Sequence, residues 1–278
     1  MTLDSVYTIA SRWLLLVLFS CTITTVHAQS KHLIKVEKKL AKGDTNKALK
    51  KLNKYLDKHP SEAALYLKRA KLKIERGDLD PAMADLNSFC SLNKICGEAD
   101  MWKGIVLYKQ GNYLAAIERL SDYTRVKTSD GEAFLYLGLA HVWLQNYTIA
   151  LQALERAGEL DPSNDLAWYN SGLSAFYSED YAAAEGFFLR ATEANAEDSD
   201  YLMALSNTYR ARENFEKSNA ILSLIKAGDR NYASALFNSA VNHYHQDDLA
   251  AACSLWEEAK EAGHLKAEDN LRQYCALK

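Results

Sequence analysis

The stretch that decides the fold is Phe134–Pro162, FLYLGLAHVWLQNYTIALQALERAGELDP. A turn at Gln145 divides it, with the small residues Gly138 and Ala150 on either side and the large residue Leu154 beyond. Two small residues let a pair of helices approach closely, and a large residue then fills the space beyond the contact. The stretch therefore predicts a helix, a turn and a second helix packed against the first.

The same pattern recurs every 34 residues along the chain. The turn positions are Gly43, Gly77, Gly111, Gln145, Glu179, Glu213 and Asp247. Seven residues before each turn stand Val36, Ala70, Gly104, Gly138, Gly172, Ser206 and Ala240. Five residues after each turn stand Ala48, Ala82, Ala116, Ala150, Ala184, Ser218 and Ala252. Nine residues after each turn stand Leu52, Leu86, Leu120, Leu154, Phe188, Leu222 and Trp256. Self-similarity at this period predicts a stack of helix–turn–helix units.

Two segments carry a resemblance to a known family, Phe134-x-x-Leu137-Gly138 … Tyr147-x-x-Ala150 … Ala157 … Pro162 and Trp168 … Gly172 … Tyr181-x-x-Ala184 … Ala191. The chain resembles the tetratricopeptide repeat family over residues 30–263. The resemblance implies an all-α fold, a right-handed α-solenoid of seven hairpins plus a C-terminal capping helix. The predicted repeats are about 29–62, 63–96, 97–130, 131–164, 165–198, 199–232 and 233–263.

The two ends of the chain lie outside the repeats. Residues 264–278 are predicted to form the capping helix, with Leu265, Leu271 and Tyr274 covering the seventh hairpin. Residues 1–28 read as a secretory signal peptide, in which Arg12 and a short apolar run precede Val26-His27-Ala28. The apolar stretch is shorter than the roughly 20 residues that span a bilayer. The expected location is periplasmic or secreted, and the alternative is a lipid anchor at Cys21, because Leu18-Phe19-Ser20-Cys21 resembles a lipoprotein signal.

Charge is distributed unevenly along the chain, although the formal net charge is only −3. Residues 30–76 hold 15 Lys or Arg and 5 Asp or Glu, whereas residues 77–278 hold 17 and 30. A solvated lysine face is one interpretation, and a docking end for an acidic partner or an anionic surface is the other. Nucleic acid is not an expected partner, because the basic segment has no interleaved aromatic motif.

The first helices of hairpins three to five carry apolar residues on a second face. In the tetratricopeptide repeat family this face lines the concave groove, so the resemblance implies a partner-binding surface there. The candidate binding residues are Met101, Ile105, Tyr108, Leu135, Leu139, Trp143, Tyr169, Leu173, Phe176 and Tyr177. The alternative is that these side chains only fill the inner wall between neighbouring repeats. Tyrosine and tryptophan are frequent anchors of protein interfaces, which favours the binding interpretation.

Four cysteines remain if Cys21 is set aside, an even number in a chain predicted to be exported. Cys90 and Cys96 are six residues apart, and Cys253 lies on a helix that should pack beside the helix of Cys275. Disulfides Cys90–Cys96 and Cys253–Cys275 are therefore predicted. The alternative is four buried thiols that behave as small apolar side chains.

The sequence contains no recognisable catalytic motif, metal-ligand spacing or phosphate-binding glycine loop, so no enzyme activity, metal or cofactor is predicted. His243 and His245 are two residues apart and point to different faces of a helix. Two functions fit the pattern. One is a non-catalytic scaffold of the cell envelope that binds a protein or peptide segment in the groove. The other is an assembly subunit that docks through its ends or its convex face.

Overall fold

A computed structural model describes residues 31–275, so the predicted signal segment and Cys21 lie outside the described residues. The all-α prediction is confirmed, since every regular element within this range is helical. The helices are α1 Lys31–Leu40, α2 Thr45–Lys58, α3 Ala63–Glu75, α4 Leu79–Leu92, α5 Glu98–Lys109, α6 Tyr113–Val126, α7 Gly131–Trp143, α8 Tyr147–Leu160, α9 Asp165–Tyr177, α10 Tyr181–Ala194, α11 Ser199–Ala211, α12 Phe215–Leu222, α13 Tyr232–His245, α14 Leu249–Glu261 and α15 Ala267–Asn270. A π-helical turn, Leu271–Cys275, follows α15.

The helices α1 to α14 pair in order into seven hairpins, and the described residues fall into two compact units, 31–99 and 100–275. The first unit holds hairpins one and two. The second unit holds hairpins three to seven and the C-terminal helical segment. The predicted repeat boundaries stay a prediction. None of the helices described is both long enough and apolar enough to span a bilayer.

Each hairpin turns at a residue in the left-handed region of backbone conformation. The three glycines Gly43, Gly77 and Gly111 have φ between 72° and 81°. The same conformation is adopted by residues with side chains at Gln145, Glu179, Glu213 and Asp247, with φ between 57° and 63°. Asp or Asn follows every one of these turn residues and stands at the N-cap of the second helix. In the last three hairpins its side chain accepts a hydrogen bond from the helix backbone, which satisfies a donor that the helix leaves unpaired.

The predicted close contacts between helices are present in the central hairpins. A Cβ atom added at Gly104, Gly138 or Gly172 would lie 2.5–2.6 Å from the large residue of the same hairpin, Leu120, Leu154 or Phe188. No side chain fits at that distance, so glycine is required for the observed approach of the two helices. Each of the three large residues is buried. Glycine therefore allows the two helices of each of these hairpins to approach closely, because it has no Cβ atom at the contact.

Hairpin six departs from its neighbours in length and in chemistry. Its second helix, α12, has 8 residues, whereas α8 and α10 have 14. The hydroxyl groups of Ser206 and Ser218 are buried and lie 2.8 Å apart at the positions that hold Gly138 and Ala150 in hairpin four. The Nδ2 amide of Asn242, on α13, donates to Ser218 Oγ at 2.8 Å. A polar network thus fills the contact that is apolar elsewhere.

The C-terminal segment packs on hairpin seven, but in a different way from the prediction. Leu271 and Tyr274 contact the buried cluster around Trp256, as expected. Leu265 is 92% exposed, so the prediction that it covers the seventh hairpin is wrong. The reason is that a loop follows Gly263 and the helix α15 begins only at Ala267, so Leu265 lies in the loop.

Candidate functional site

The candidate site is the row of residues that α5, α7 and α9 present on their second face, within the second unit. Trp143 and Tyr177 are 61% and 58% exposed, although both are large aromatic side chains. Tyr108, Leu139, Tyr169, Leu173 and Phe176 are half-buried. Large apolar side chains that remain accessible on a folded protein are typical of binding surfaces. The accessible part of the site is thus mainly aromatic.

Three of the ten predicted binding residues need a correction. Met101, Ile105 and Leu135 are only 3%, 0% and 8% exposed, so they cannot contact a partner in this structure. Leu135 belongs to the core cluster of Leu154 and Ala167. These three residues lie on the first helices, one to two helical turns before the positions of the exposed rings. A neighbouring helix covers this part of the first helix.

Pairs of aromatic rings join successive hairpins at the edge of this surface. Tyr113 stacks on Trp143 with ring centroids 5.4 Å apart and an interplanar angle of 5°. Tyr147 stacks on Tyr177 at 5.1 Å and 22°. In each pair the first ring opens the second helix of one hairpin, and the second ring closes the first helix of the next. The partners are 30 residues apart, so the arrangement follows the repeat.

A third pair continues the series between hairpins six and seven, where Phe215 stacks on His245 at 5.5 Å and 6°. Tyr113, Tyr147 and Phe215, which follow the turns of their own hairpins, thus each reach the next hairpin. These pairs were not predicted from the sequence, although their signal is visible in it as aromatic residues separated by 30 positions.

A hydrogen bond fixes the position of the Trp143 ring. The Trp143 indole Nε1 donates to the Tyr108 hydroxyl oxygen at 3.1 Å. The Tyr108 ring also contacts the rings of Tyr113 and Tyr136, with centroids 5.6 and 5.3 Å apart. Burial raises the pKa of Tyr108, so its hydroxyl stays protonated at neutral pH. The exposed indole face is therefore held in one orientation before any partner arrives.

A small pocket opens between α9 and α11 beside the Tyr177 ring. Its volume is about 220 Å³, and its walls include Tyr169, Leu173, Phe176, Met203 and Asn207. The polar group at its rim is the Asp200 carboxylate, which accepts a hydrogen bond from Asn231 Nδ2 at 2.6 Å. The pocket is smaller than the 300–1,000 Å³ that is usual for small-molecule sites. It suits a single side chain better than a cofactor.

The row of second-face residues becomes polar at hairpin six, where Arg210 follows the apolar residues. Its Nη2 donates to Asn207 Oδ1 at 2.9 Å, and its Nη1 donates to Asn238 Oδ1 at 3.2 Å. Burial lowers the pKa of Arg210. Both partners are neutral amides, so they do not compensate the guanidinium charge of Arg210, which lies beside the apolar residues of the row.

The basic N-terminal segment places its charges on one face of a helix. Lys47, Lys50, Lys54 and Lys58 are exposed and recur on α2 at a spacing of three or four residues. Lys47 pairs with Asp44, whereas Lys50, Lys54 and Lys58 have no ion pair with the residues that the structure describes. Such a stripe of unpaired positive charge raises the local electrostatic potential.

Two other cations of the same unit share one buried carboxylate inside the fold. The buried carboxylate of Asp85 accepts hydrogen bonds from Arg69 at 2.6 and 2.8 Å and from Lys73 at 2.8 Å. The hydrogen bond to Asp85 raises the pKa of Arg69, in spite of the opposing effect of burial. Two cations and one carboxylate leave one positive charge in this cluster, and the exposed lysines of α2 carry further positive charge.

The four cysteines lie in the two predicted pairs. The Cα atoms of Cys90 and Cys96 are 4.9 Å apart, and those of Cys253 and Cys275 are 5.9 Å apart. Both separations are within the range that a disulfide requires, and neither exceeds the limit of about 7 Å. Formation of the two bridges stays a prediction, which peptide mapping without reduction would test.

Comparison with known proteins gives the same assignment of fold. The model of the tetratricopeptide repeat family matches residues 103–165 and 137–200. None of the curated proteins matches the chain. A tetratricopeptide repeat protein from Parabacteroides merdae aligns with 87% of this chain and 96% of its own, at 17% identity and a TM-score of 0.57. The C-terminal part of a repeat protein from Cytophaga hutchinsonii aligns with 85% and 98%, at 18% identity and a TM-score of 0.66.

A third solved structure is YrrB, described as a TPR protein with an unusual peptide-binding site. It aligns with 76% of this chain and 97% of its own, at 22% identity and a TM-score of 0.54. At these identities the likeness establishes the fold alone. Together with the seven hairpins, it shows that the chain has the fold of the tetratricopeptide repeat family, whose model matches its central residues 103–200.

Proposed function

We propose that the chain is a non-catalytic scaffold that binds a segment of a partner protein along the groove face of α7 and α9. The observation that carries this proposal is the exposure of Trp143 and Tyr177, which stand at equivalent positions of neighbouring hairpins. Residues of this kind supply much of the binding energy at protein interfaces. The likeness to YrrB, whose description includes a peptide-binding site, is in keeping with a peptide partner.

The competing explanation is that the two rings only brace the hairpins, because each stacks on a tyrosine of the preceding hairpin. Stacking covers one face of a ring, and more than half of each side chain nevertheless remains accessible. A ring that only joins two hairpins needs no more than the face that stacks on its neighbour. The exposed face of each ring is therefore available for a partner, and the orienting hydrogen bond to Trp143 reduces the entropy that binding would cost.

The test is quantitative capture of partners from the native cell envelope with three forms of the protein. The Trp143→Ala/Tyr177→Ala variant should lose at least about 30-fold in affinity, corresponding to about 2 kcal/mol for a hot spot. The matched control is Ile149→Ala, which removes a side chain of similar exposure from α8, outside the groove. Retention of partner binding by the double variant, with a fold as stable as that of the control, would exclude the groove as the binding surface.

The second candidate function is an assembly subunit that docks through its basic end, and the unpaired lysines of α2 favour it. An acidic partner or an anionic surface would be attracted mainly by charge, so binding should weaken steeply with salt. A Lys50→Glu/Lys54→Glu/Lys58→Glu variant should lose this binding while the groove variant keeps it. The opposite result would favour the groove.

We also propose that the protein is exported and cleaved after Ala28, giving a periplasmic or secreted chain. The apolar run that precedes Val26-His27-Ala28 supports this proposal. Mass spectrometry of the native protein should find Gln29 at the N-terminus. A lipidated Cys21 would replace the proposal with a membrane anchor, and an intact Met1 would refute export by this route.

A further inference from the structure

The series of stacked rings in the second unit has one unfilled position. Ring pairs join hairpins three and four, four and five, and six and seven. Between hairpins five and six the first ring is present as Tyr181, but the equivalent position 30 residues later is Ala211. None of the ring contacts of the described residues stacks on the face of Tyr181. Its one ring contact is with Phe176, edge-on at 5.2 Å and 63°.

The neighbouring side chain does not take the place of the missing ring. Arg212 follows Ala211, and its guanidinium forms an ion pair with the carboxylate of Glu185 on α10. Ala211 itself is exposed and offers only a methyl group. Tyr181 is half-buried and has no ring of the described residues stacked on its face, whereas the other three junctions each hold a second ring.

The 220 Å³ pocket lies next to this unfilled position. Phe176 belongs to both, since it lines the pocket and also touches the Tyr181 ring. Asn207, another wall of the pocket, stands one helical turn before Ala211 on α11. A ring without a stacked partner and a pocket with mainly apolar walls therefore lie next to each other, and the pocket has room for one side chain.

We propose that this position is a subsite for an aromatic side chain of the partner segment, which stacks on Tyr181 and completes the series of ring pairs. The inference rests on the proposed function and specifies which side chain the partner must supply. The geometry that it requires already occurs three times in the same unit, with centroids 5.1–5.5 Å apart. Flat apolar rings favour this offset stacking over other side chains of similar size.

The experiment uses the Ala211 methyl group as a reporter, because a ring stacked above it shifts its NMR signal upfield. The full-length mature protein, labelled with ¹³C at alanine methyl groups, is titrated with N-acetyl-tryptophanamide and, as a control probe, N-acetyl-leucinamide. The tryptophan probe should shift the Ala211 signal and leave that of Ala220, exposed on α12, unchanged. The shift should disappear in Tyr181→Ala. Equal shifts with both probes, or a shift that survives in Tyr181→Ala, would overturn the proposal.

A second variant tests the role of the subsite in partner binding. Ala211→Tyr supplies the missing ring from within the chain, so it should fold with an unchanged or higher Tm and bind the native partner at least tenfold more weakly. Ala211→Ser is the matched control and should bind like the wild type. If Trp143→Ala/Tyr177→Ala abolishes capture of the partner but Ala211→Tyr does not weaken it, the subsite proposal is wrong and the proposed groove binding still holds. If neither change affects capture, the proposed function fails as well.

Discussion

Hairpin four and hairpin six place different chemistry at the same three positions of the repeat. Hairpin four has Gly138, Ala150 and Leu154, whereas hairpin six has Ser206, Ser218 and Leu222. In the first set the two helices approach so closely that a Cβ atom at position 138 would lie 2.5 Å from Leu154 Cγ. The second set buries two hydroxyl groups that bind each other. Both hairpins therefore keep two small residues and one large residue at these positions, but the polarity of the small residues differs.

The difference extends to the next helix and to the shape of the surface. In hairpin six the network continues through Asn242, whose Nδ2 also donates to Asn219 Oδ1 at 2.8 Å, while its Oδ1 has no hydrogen-bond partner. The short helix α12 leaves a pocket of about 310 Å³ between itself, α13 and α14. A buried polar group without a partner costs free energy. We expect hairpin six to be the less stable of the two.

The largest expected effect is a loss of stability when the large apolar side chain is removed from the helix contact of hairpin four. Leu154→Ala should lower the free energy of unfolding by about 2–5 kcal/mol, because Leu154 is fully buried between the two helices. Leu222→Ala should cost less, since Leu222 already borders the 310 Å³ pocket. Chemical denaturation followed by circular dichroism measures both. An equal or larger cost for Leu222→Ala would remove the distinction between the hairpins.

The polar contact should respond to single and combined substitutions in opposite ways. Ser218→Ala should cost about 1–3 kcal/mol, because it leaves Ser206 and Asn242 with buried polar groups that lack a partner. The combined variant Ser206→Ala/Ser218→Ala/Asn242→Leu removes the whole network and should recover most of that loss. The exposed Ser254→Ala on α14 is the control. A combined variant that is less stable than Ser218→Ala would show that the network is a net source of stability.

Glycine-to-alanine changes separate the cost of crowding from helix propensity. Gly138→Ala should destabilise by about 1–2 kcal/mol, because the new Cβ atom would lie 2.5 Å from Leu154 Cγ and 3.2 Å from the Ala150 carbonyl oxygen. Gly186→Ala, on α10, meets no atom within 4 Å and should stabilise by up to about 1 kcal/mol. Thermal unfolding of the two variants provides the measurement. If both variants change stability in the same direction, the close contact with Leu154 does not explain why residue 138 is glycine.

The sequence predicted the features that depend on local backbone geometry. The turn residues, the small contact residues and the large residues such as Leu154 occupy their expected places, because one hairpin determines them. Exposure could not be predicted in the same way. Leu135 is buried both by the second helix of its own hairpin and by Ala167 of the following hairpin, and Leu265 lies in a loop because the last helix begins only at Ala267. The subsite proposed at Ala211 depends on the three ring pairs, because their 30-residue spacing defines the position at which Ala211 supplies no ring.

The smallest expected effect concerns the turns, where the two hairpins should behave alike. Gln145 and Glu213 have φ of 58° and 57°, although residues with side chains rarely adopt this conformation. Replacing either with Gly relieves about 1–2 kcal/mol of strain but adds conformational freedom to the unfolded chain. We therefore expect a net gain of about 0.5–1 kcal/mol for Gln145→Gly and the same gain for Glu213→Gly.

The reverse change provides the control for this last prediction. Gly111 has φ of 79° and no atom within 4 Å of a built Cβ, so Gly111→Ala should lose stability through backbone strain alone. Denaturation midpoints of the three variants can be compared directly, because both mutated side chains are exposed. Equal gains in hairpins four and six would show that their difference lies in the packed contact and not in the backbone. If only Gln145→Gly gains stability, the polar network of hairpin six must also affect the backbone conformation of its turn.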